Sequence, residues 1–245
     1  MVDPAHIDFK GLRDGLRIYC MGDIHGRADL LAQVRDEIAR DLAQRPIAES
    51  LTICLGDYVD RGPDSAGVLD LLAAQPFPTR LIPLRGNHEV MMQAFFREPA
   101  ELGAWRRFGG LETLASYGVA TEEAAMGRGY EAARQSLLRR LPESHRTLLE
   151  KLELYVTVDD YFFCHAGVRP GIPLKRQAER DLLWIRHDFL SWRGDFGKIV
   201  VHGHTPVPKA EILPNRISID TGAFSSGRLT CLVLEGRSTF FLTGG

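Results

Sequence analysis

The stretch that most constrains this chain follows a short apolar run, Leu51–Leu55. The run has the length and composition of a buried strand, and it ends at Gly56, which precedes Asp57, Asp60 and Arg61. A buried strand that carries two carboxylates and a guanidinium into a glycine-bounded loop places charge at the edge of a sheet. Such charge is costly unless a cation or an anion compensates it. Taken alone, the stretch is either a ligand-binding loop or an ordinary strand-ending turn.

Repetition of this pattern along the chain favours the ligand-binding loop. Five apolar runs end in glycine together with Asp, Asn or His. The residues concerned are Asp23, His25, Asp57, Asn87, His88, His165 and His204. Carboxylate, amide and imidazole ligands without thiolates suit Mn, Fe or Zn better than Ca or a structural zinc site. We therefore expect a metal site at the carboxyl ends of these strands.

Composition and charge exclude several classes of protein. A chain of 245 residues can form one large domain. Its formal charge of −2 argues against nucleic-acid or membrane binding as the main activity. No run approaches the length of a membrane span, and the N-terminus lacks the apolar core of a signal peptide. Four cysteines lie inside apolar runs without a C-x-x-C pair, which predicts buried free thiols in a cytoplasmic protein: Cys20, Cys54, Cys164 and Cys231.

The hydrophobic pattern predicts an α/β fold in one catalytic domain, 16–245, after a loose lead-in, 1–15. Strands alternate with helices in the first half, and a helical segment near 93–152 is set on the same domain. The second half contains short strands that we expect to be mostly antiparallel. Two sheets packed together with helices outside fit this order. The expected strands are 16–21, 51–55, 80–84, 154–158, 161–164, 198–201, 217–219, 229–234 and 239–242, and the clearest helices are 28–43, 65–74 and one from Val90.

The motifs resemble a known family. Asp23-Ile24-His25, Gly56–Gly62 and Arg85–Glu89 are similar to the three signatures of the phosphoprotein phosphatase branch of the calcineurin-like metallophosphoesterases. Further similarity, to lambda-phosphatase-like bacterial and phage members, lies in His165–Gly167, Gly203–Thr205, Leu183–Arg186 and Asp220–Ala223. The resemblance spans 17–235 with gaps. It implies a four-layer sandwich in which two mixed β-sheets are flanked by helices.

The resemblance also implies a role for each matching residue. Asp23, His25 and Asp57 would hold one divalent cation, and Asp57, Asn87, His165 and His204 would hold a second. Mn is the expected metal, with Fe or Zn as alternatives. His88 would be the general acid and Asp60 its orienting partner. The residues expected to contact the substrate phosphate are Arg61, Arg186 and Asn87.

The expected activity is hydrolysis of phosphate monoesters by a hydroxide that bridges two metal ions, with phosphoserine and phosphothreonine in proteins as favoured substrates. The partner is then a phosphoprotein or a small phosphorylated substrate, and we expect no obligate regulatory subunit. An alternative is a bis(5'-nucleosyl)-tetraphosphatase, because related bacterial members split dinucleoside polyphosphates. A catalytically silent binding module would have lost ligands, and the full ligand set argues against it.

Several residues near the motifs have more than one interpretation. We expect His202 to be structural rather than a ligand, and Arg85 to form an ion pair rather than to contact substrate. Glu89 either favours a helix N-terminus or hydrogen-bonds a ligand histidine. A single Asp-Thr-Gly at Asp220 does not make an aspartic protease. Aromatic residues of the helical segment are expected in core or lid packing, namely Trp105, Phe108 and Tyr117, and histidines outside any motif are expected at the surface or in satisfied positions, namely His6, His145 and His187.

Overall fold

A computed structural model of the chain describes residues 11–74 and 77–245. The first ten residues of the expected lead-in, including His6, therefore lie outside the described residues. Leu12, within the rest of that lead-in, is buried, and its backbone N–H donates to the carbonyl of Gly236 at 2.9 Å. No helix in the described part of the chain combines the length and apolar character that a membrane span requires.

Strands and helices alternate in the first half and strands dominate the second. The strands are β1 (Leu16–Met21), β2 (Glu49–Cys54), β3 (Arg80–Pro83), β4 (Tyr155–Val158), β5 (Tyr161–Cys164), β6 (Ile199–His202), β7 (Glu211–Leu213), β8 (Arg216–Ser218), β9 (Leu229–Glu235) and β10 (Ser238–Gly244). The helices are α1 (Ala28–Gln44), α2 (Ser65–Ala73), α3 (Asn87–Arg97), α4 (Leu102–Trp105), α5 (Gly110–Ser116), α6 (Glu122–Ala125), α7 (Tyr130–Arg140), α8 (Glu143–Glu150), α9 (Glu179–Trp184), α10 (His187–Leu190) and α11 (Ala223–Ser226).

Two mixed sheets form the framework, which confirms the predicted fold class. The first has the strand order β10-β9-β1-β2-β3, with β1, β2 and β3 parallel and β9 and β10 antiparallel. The second has the order β4-β5-β6-β8-β7, in which β5, β6 and β8 are parallel and the two edge strands are antiparallel. The carboxyl ends of the parallel strands carry the loops with the predicted site residues.

Successive side chains on each strand point to opposite faces of its sheet, so the apolar side chains form three clusters. One cluster lies between the two sheets and one lies on the outer face of each sheet, under its helices, which gives four layers. On β1, Ile18 and Cys20 pack between the two sheets, whereas Tyr19 and Met21 face the helices on the outer side of the first sheet. Phe162 on β5 packs with helices α9 and α10 outside the second sheet. All four cysteines are buried free thiols, as predicted.

Helices α4 to α8 make up most of the segment that the sequence predicts to be helical. Trp105, Leu114, Leu137 and Leu149 from this segment belong to the same buried cluster as Tyr19 of β1. The segment thus packs on the outer face of the first sheet. Of the aromatic residues expected in core or lid packing, Trp105 and Tyr117 are buried, whereas Phe108 is 43% exposed with its ring edge-on to that of His88, 6.3 Å away.

The structure corrects three features of the predicted secondary structure. The expected antiparallel pairing holds for β4 with β5, β7 with β8 and β9 with β10, but β6 is parallel to β5 and β8. Helices α9 and α10 provide the crossover that returns the chain from β5 to a parallel β6. Strand β7 has only three residues, too few for a recognisable alternation. Helix α3 begins at Asn87 rather than at Val90, so Asn87, His88 and Glu89 form its first turn.

The core between the sheets gives a test of the fold. Ile18→Ala removes a fully buried side chain between the sheets, and we expect it to lower the free energy of unfolding by about 2–5 kcal/mol. Ile212→Ala on β7 makes the same change at a position that is 37% exposed and should cost less than about 0.5 kcal/mol. Chemical denaturation measures both. Equal losses in the two variants would contradict this assignment of the core.

Candidate metal centre

Five strand ends from the two sheets deliver the predicted ligands to one place. Asp23 and His25 follow β1, Asp57 follows β2 and Asn87 follows β3; His165 and His204 follow β5 and β6 of the other sheet. Each of these residues is buried. The site therefore lies where the carboxyl ends of parallel strands from both sheets meet, which is the usual position of ligands in such sheets.

Asp57 lies at the centre of this group. Its Oδ2 atom is 3.5 Å from Nε2 of His25, and its Oδ1 atom is 3.4 Å from Nε2 of His165. Potential ligand atoms of His25, Asp57 and His88 lie within 4.8 Å of one another, and so do those of Asp57, His165 and His204. The two groups share only Asp57, so its carboxylate is placed to bridge two cations.

The imidazoles on either side of Asp57 are oriented by backbone carbonyls. Nδ1 of His25 lies 2.8 Å from the carbonyl of Val59, and Nδ1 of His165 lies 3.0 Å from the carbonyl of Leu55. Each Nδ1–H therefore donates outward, which leaves Nε2 with a lone pair toward the site. Within the described residues, Nε2 of His25 and Nε2 of His204 are buried without a hydrogen-bond partner.

Acceptor atoms face one another in the second group. Nε2 of His165 is 2.9 Å from Oδ1 of Asn87 and 3.1 Å from Nδ1 of His204. Since Nδ1 of His165 holds the hydrogen, the close approach of its Nε2 to Oδ1 of Asn87 brings two lone pairs together, and a cation between them would satisfy both. Asp23, which the resemblance assigns to the cation held with His25, accepts hydrogen bonds at both carboxylate oxygens from the backbone N–H of His204, at 3.1–3.2 Å.

Burial sets the electrostatics of the site. It raises the pKa of Asp57 well above its ordinary value, and the nearby Glu89 carboxylate raises it further. Burial, together with Asp220 and Asp57, raises the pKa of Asp23. Burial lowers the pKa of His25, and it lowers that of His165 to about 3. Without a cation, charged carboxylates are therefore disfavoured here, whereas the imidazoles are already neutral and able to coordinate.

The backbone of the site adopts unusual conformations. Six non-glycine residues of the described chain have positive φ, and five of them belong to the predicted site: His25 at 45°, Asp57 at 52°, Asp60 at 75°, Arg61 at 68° and His204 at 65°. Such residues cost about 1–3 kcal/mol each where they are strained and persist only when their surroundings hold them. The surrounding structure thus holds these loops in unfavourable backbone conformations that place their side chains in the site.

Glu89 holds the central loop from the first turn of α3. One of its carboxylate oxygens accepts from the backbone N–H groups of Asp57 and Gly86, each at 2.9 Å, and the other accepts from that of Tyr58 at 2.7 Å. The bond to Gly86 closes the helix N-terminus. Glu89 therefore stabilises the N-terminus of α3, as one interpretation expected, and it also binds the backbone of the loop that carries Asp57. The other interpretation is not supported, because no described hydrogen bond joins Glu89 to a histidine of the predicted site.

His88 and Asp60 form a buried pair beside the ligands. Nδ1 of His88 lies 2.6 Å from Oδ2 of Asp60. Trp105 Nε1–H donates to the same oxygen at 2.7 Å, and the hydroxyl of Thr113 donates to Oδ1 at 2.6 Å. Burial raises the pKa of Asp60 to about 8, although the bonds from Thr113 and Trp105 lower it. The pair is geometrically suited to hold and transfer a proton.

The two predicted phosphate-binding arginines contact different residues around the site. Nη2 of Arg61 is 3.2 Å from Nε2 of His88, and its guanidinium lies 5.1 Å above the ring of Phe224. Arg186 is exposed and donates to Oγ1 of Thr205 at 3.3 Å, next to His204. A guanidinium only donates, so Nε2 of His88 is an acceptor in this arrangement.

His202, His145, His187 and Arg85 lie outside the two groups of potential metal ligands. His202 is buried and its ring packs edge-on against Phe189 at 4.8 Å. His145 lies 2.8 Å from the hydroxyl of Tyr117 and 2.9 Å from a carboxylate oxygen of Asp70, and His187 is 92% exposed at its side chain. Arg85 forms an ion pair with Glu179 at 3.6 Å. His145 and His187 are thus in a hydrogen-bonded and an exposed position, as expected, whereas Nε2 of His202 and Nε of Arg85 are buried without a hydrogen-bond partner among the described residues.

Asp220 and Thr113 belong to the site's surroundings and were not predicted from the sequence. Asp220 is buried, accepts a hydrogen bond from the backbone N–H of Gly222 at 2.9 Å, and acts on the pKa of Asp23. It lies two residues after the end of β8, so the strand-end pattern that indicated the predicted ligands could also have indicated it. Thr113 lies in the interior of α5 with no comparable signal.

Glycine is required where ligand carboxylates approach the backbone. A Cβ atom on Gly86 would clash with Oδ1 of Asp57, and one on Gly203 would clash with Oδ1 of Asp23. These two glycines therefore leave room for the two carboxylates that the site most depends on. The cluster of buried carboxylate, amide and imidazole groups fits a dinuclear metal centre.

Comparison with known proteins agrees with this geometry. A family model described as calcineurin-like phosphoesterase matches residues 16–229. The chain is 26% identical over 244 residues to the asymmetrical bis(5'-nucleosyl)-tetraphosphatase PrpE of Anoxybacillus flavithermus, with 86% of this chain and 88% of the relative covered. It is 30% identical over 220 residues to serine/threonine-protein phosphatase 1 of Salmonella typhimurium, with 87% and 89% covered.

Solved structures share the fold at low sequence identity. A crystal structure presented as a candidate diadenosine tetraphosphatase has a TM-score of 0.62 and 21% identity, covering 95% of this chain and 99% of its own. A cold-active protein-tyrosine phosphatase of a psychrophilic Shewanella has a TM-score of 0.55 and 14% identity, covering 97% of this chain and 84% of its own. These likenesses support the fold alone.

Asp57 belongs to both groups of potential ligands, so the metal content of an Asp57 variant tests the bridging role. After loading with Mn²⁺, we expect about two ions per chain in the wild type, as in other two-metal sites. Asp57→Asn should lower the content below about one ion, because a single carboxylate serves both positions and an amide does not replace its charge. Elemental analysis measures this. Asp36→Asn, whose side chain is 64% exposed on α1, is the control, and an unchanged metal content in Asp57→Asn would exclude the bridging role.

Proposed function

The chain belongs to the calcineurin-like phosphoesterase family, and from this premise we propose that it hydrolyses phosphate monoesters at a two-metal site. Phosphoserine and phosphothreonine in proteins are the favoured substrates. Two divalent cations, held by Asp23, His25 and Asp57 on one side and by Asp57, Asn87, His165 and His204 on the other, would supply an activated water and neutralise phosphate charge.

The observation that carries the proposal is the buried pair of His88 and Asp60. Serine and threonine leave as strongly basic alkoxides, so their departure requires a proton in the transition state. A phosphoanhydride leaves as a weakly basic phosphate and depends much less on an acid. Nε2 of His88 lies 3.7 Å from Oδ2 of Asp57, so the imidazole is adjacent to the position where phosphate would be held.

Arg61 couples phosphate binding to this acid. In the structure its guanidinium donates to Nε2 of His88. Burial, and to a smaller extent this guanidinium, lower the pKa of the imidazole to about 3. A phosphate dianion binds guanidinium groups in a bidentate manner. When Arg61 turns to the phosphate, Nε2 is free to take up a proton from solvent, and the Asp60 carboxylate, which accepts from Nδ1–H, stabilises the resulting imidazolium. Substrate binding therefore prepares the proton donor.

The leaving-group dependence of His88→Asn tests the assignment. Loss of a general acid removes about 10²–10⁴-fold of rate, and we expect kcat on an alkyl phosphate or a phosphoserine peptide to fall within that range. The fall should be much smaller on p-nitrophenyl phosphate, whose aryl oxide leaves without a proton. Asp36→Asn, at a 64% exposed position on α1, is the control. Equal losses on both substrates would rule out His88 as the proton donor.

Hydrolysis of dinucleoside polyphosphates is the second candidate, and a cavity next to the site favours it. The cavity has a volume of about 450 Å³ and is lined by Trp184, Arg180 and Arg186, among others. Its two acidic residues, Asp181 and Asp188, are both paired with Arg169 at 2.6 and 3.0 Å. Trp184 is 40% exposed, with its ring 6.2 Å from that of His204. Two guanidinium groups and an indole suit a nucleotide arm, and relatives such as PrpE carry that activity in their names.

A side-by-side assay separates the candidates. If a nucleotide arm occupies the cavity, Arg180→Ala and Trp184→Ala should each raise KM for diadenosine tetraphosphate by about tenfold, since stacking on an aromatic side chain contributes about 1–3 kcal/mol. KM for p-nitrophenyl phosphate should stay within twofold. Arg139→Ala and Trp192→Ala are controls at exposed positions away from the cavity. Unchanged KM for the tetraphosphate in both cavity variants would remove the support that this cavity gives to the second candidate.

A further inference from the structure

The side chains that surround Asp60 come from a part of the chain for which the sequence motifs assign no role. Trp105 ends α4 and Thr113 lies within α5, both in the helical segment on the outer face of the first sheet. They contact Asp60 from 45 and 53 residues away. Both are buried, at 1% and 0% exposure.

The hydrogen bonds around Asp60 leave little freedom in their direction. Indole Nε1–H can only donate, so Oδ2 of Asp60 is an acceptor for Trp105 at 2.7 Å. Thr113 donates its single hydroxyl proton to Oδ1 of Asp60, and its own Oγ1 accepts from the backbone N–H of Asp60 at 2.8 Å. Ser65 lies 3.0 Å from the Thr113 hydroxyl and completes its contacts.

This network determines the plane of the Asp60 carboxylate, and that plane determines the direction of the imidazole. Asp60 has a φ of 75°, so its own backbone does not hold it in a favoured conformation. With both carboxylate oxygens occupied by donors, the remaining lone pair on Oδ2 is directed at Nδ1 of His88, 2.6 Å away. Nε2 then faces the metal ligands and Arg61.

We propose that Trp105 and Thr113 are positioning residues for proton donation: they hold Asp60 so that His88 presents Nε2 to the leaving group. Neither residue touches substrate. The inference rests on the proposed acid role of His88 and extends it by giving the helical segment a part in the chemical step. The segment is then more than a cover for the first sheet, because it completes the orientation of the acid.

Variants that remove one hydrogen bond with little change in shape test the proposal. Trp105→Phe removes the indole donor, and Thr113→Val removes the hydroxyl. We expect each to lower kcat on an alkyl phosphate by about tenfold or more, a part of the ~10²–10⁴-fold that a general acid contributes. KM should stay within twofold, and kcat on p-nitrophenyl phosphate should fall by less than threefold. Thr113→Ser keeps the hydroxyl and should restore most of the lost rate.

Two controls separate positioning from loss of packing. Phe95 is buried and packs on Trp105 with ring centroids 5.3 Å apart, so Phe95→Leu disturbs the same neighbourhood without touching Asp60. It should affect the two substrates equally. In the His88→Asn background, Trp105→Phe should have no further effect on kcat, because residues that act through one group are not additive.

The outcomes distinguish this inference from the function on which it rests. If His88→Asn is selective for the alkyl phosphate but Trp105→Phe and Thr113→Val slow both substrates equally, the positioning role is wrong and the acid role stands. A further loss from Trp105→Phe in the His88→Asn background also overturns the positioning role. If His88→Asn shows no selectivity, both proposals fail together. Selective losses with rescue by Thr113→Ser support the proposal.

Discussion

Buried carboxylates lie where the two sheets meet, and the surrounding structure has to compensate the free-energy cost of burying them. Asp23 and Asp57 are each 2% exposed. Burial raises the pKa of both, Asp220 raises both further, and Asp57 also raises the pKa of Asp23. A carboxylate in such surroundings is stable only with compensating positive charge or several hydrogen-bond donors. The backbone N–H of His204 supplies part of this for Asp23. The neutral imidazoles supply none, so divalent cations are the natural complement.

Much of the surrounding architecture can be understood as keeping these groups in place without their ions. Glu89 fixes the backbone of the loop that carries Asp57, and carbonyl groups fix the direction of His25 and His165. The left-handed backbone at Asp57 and His204 turns each predicted ligand toward the site within two or three residues of the end of its strand. A preorganised site loses less free energy when it binds a cation, because its groups are already ordered.

The strand ends and the α/β class could be read from the sequence, because each is encoded by neighbours in the chain. An apolar run that stops at glycine and a carboxylate or imidazole is a local signal, and it located Asp57, Asn87 and His165. Contacts between distant positions are not encoded in this way. Glu89 reaches Asp57 across 32 residues and Trp105 reaches Asp60 across 45, and no spacing rule identifies such partners. The parallel direction of β6 depended on α9 and α10, which have six and four residues and too little periodicity to recognise.

One loop carries both the carboxylate proposed to bridge the cations, Asp57, and the carboxylate proposed to orient the general acid, Asp60. Asp57 and Asp60 are separated by two residues in one loop, yet Asp57 faces the metal ligands while Asp60 faces the helical segment. The loop thus connects the group that would hold the cations to the group that orients the acid, and Glu89 holds its backbone between them. Arg61, the next residue, contacts His88 directly. A displacement of this loop would therefore move the bridging carboxylate, the acid and the phosphate-binding arginine together, which explains why its backbone is tied at so many points.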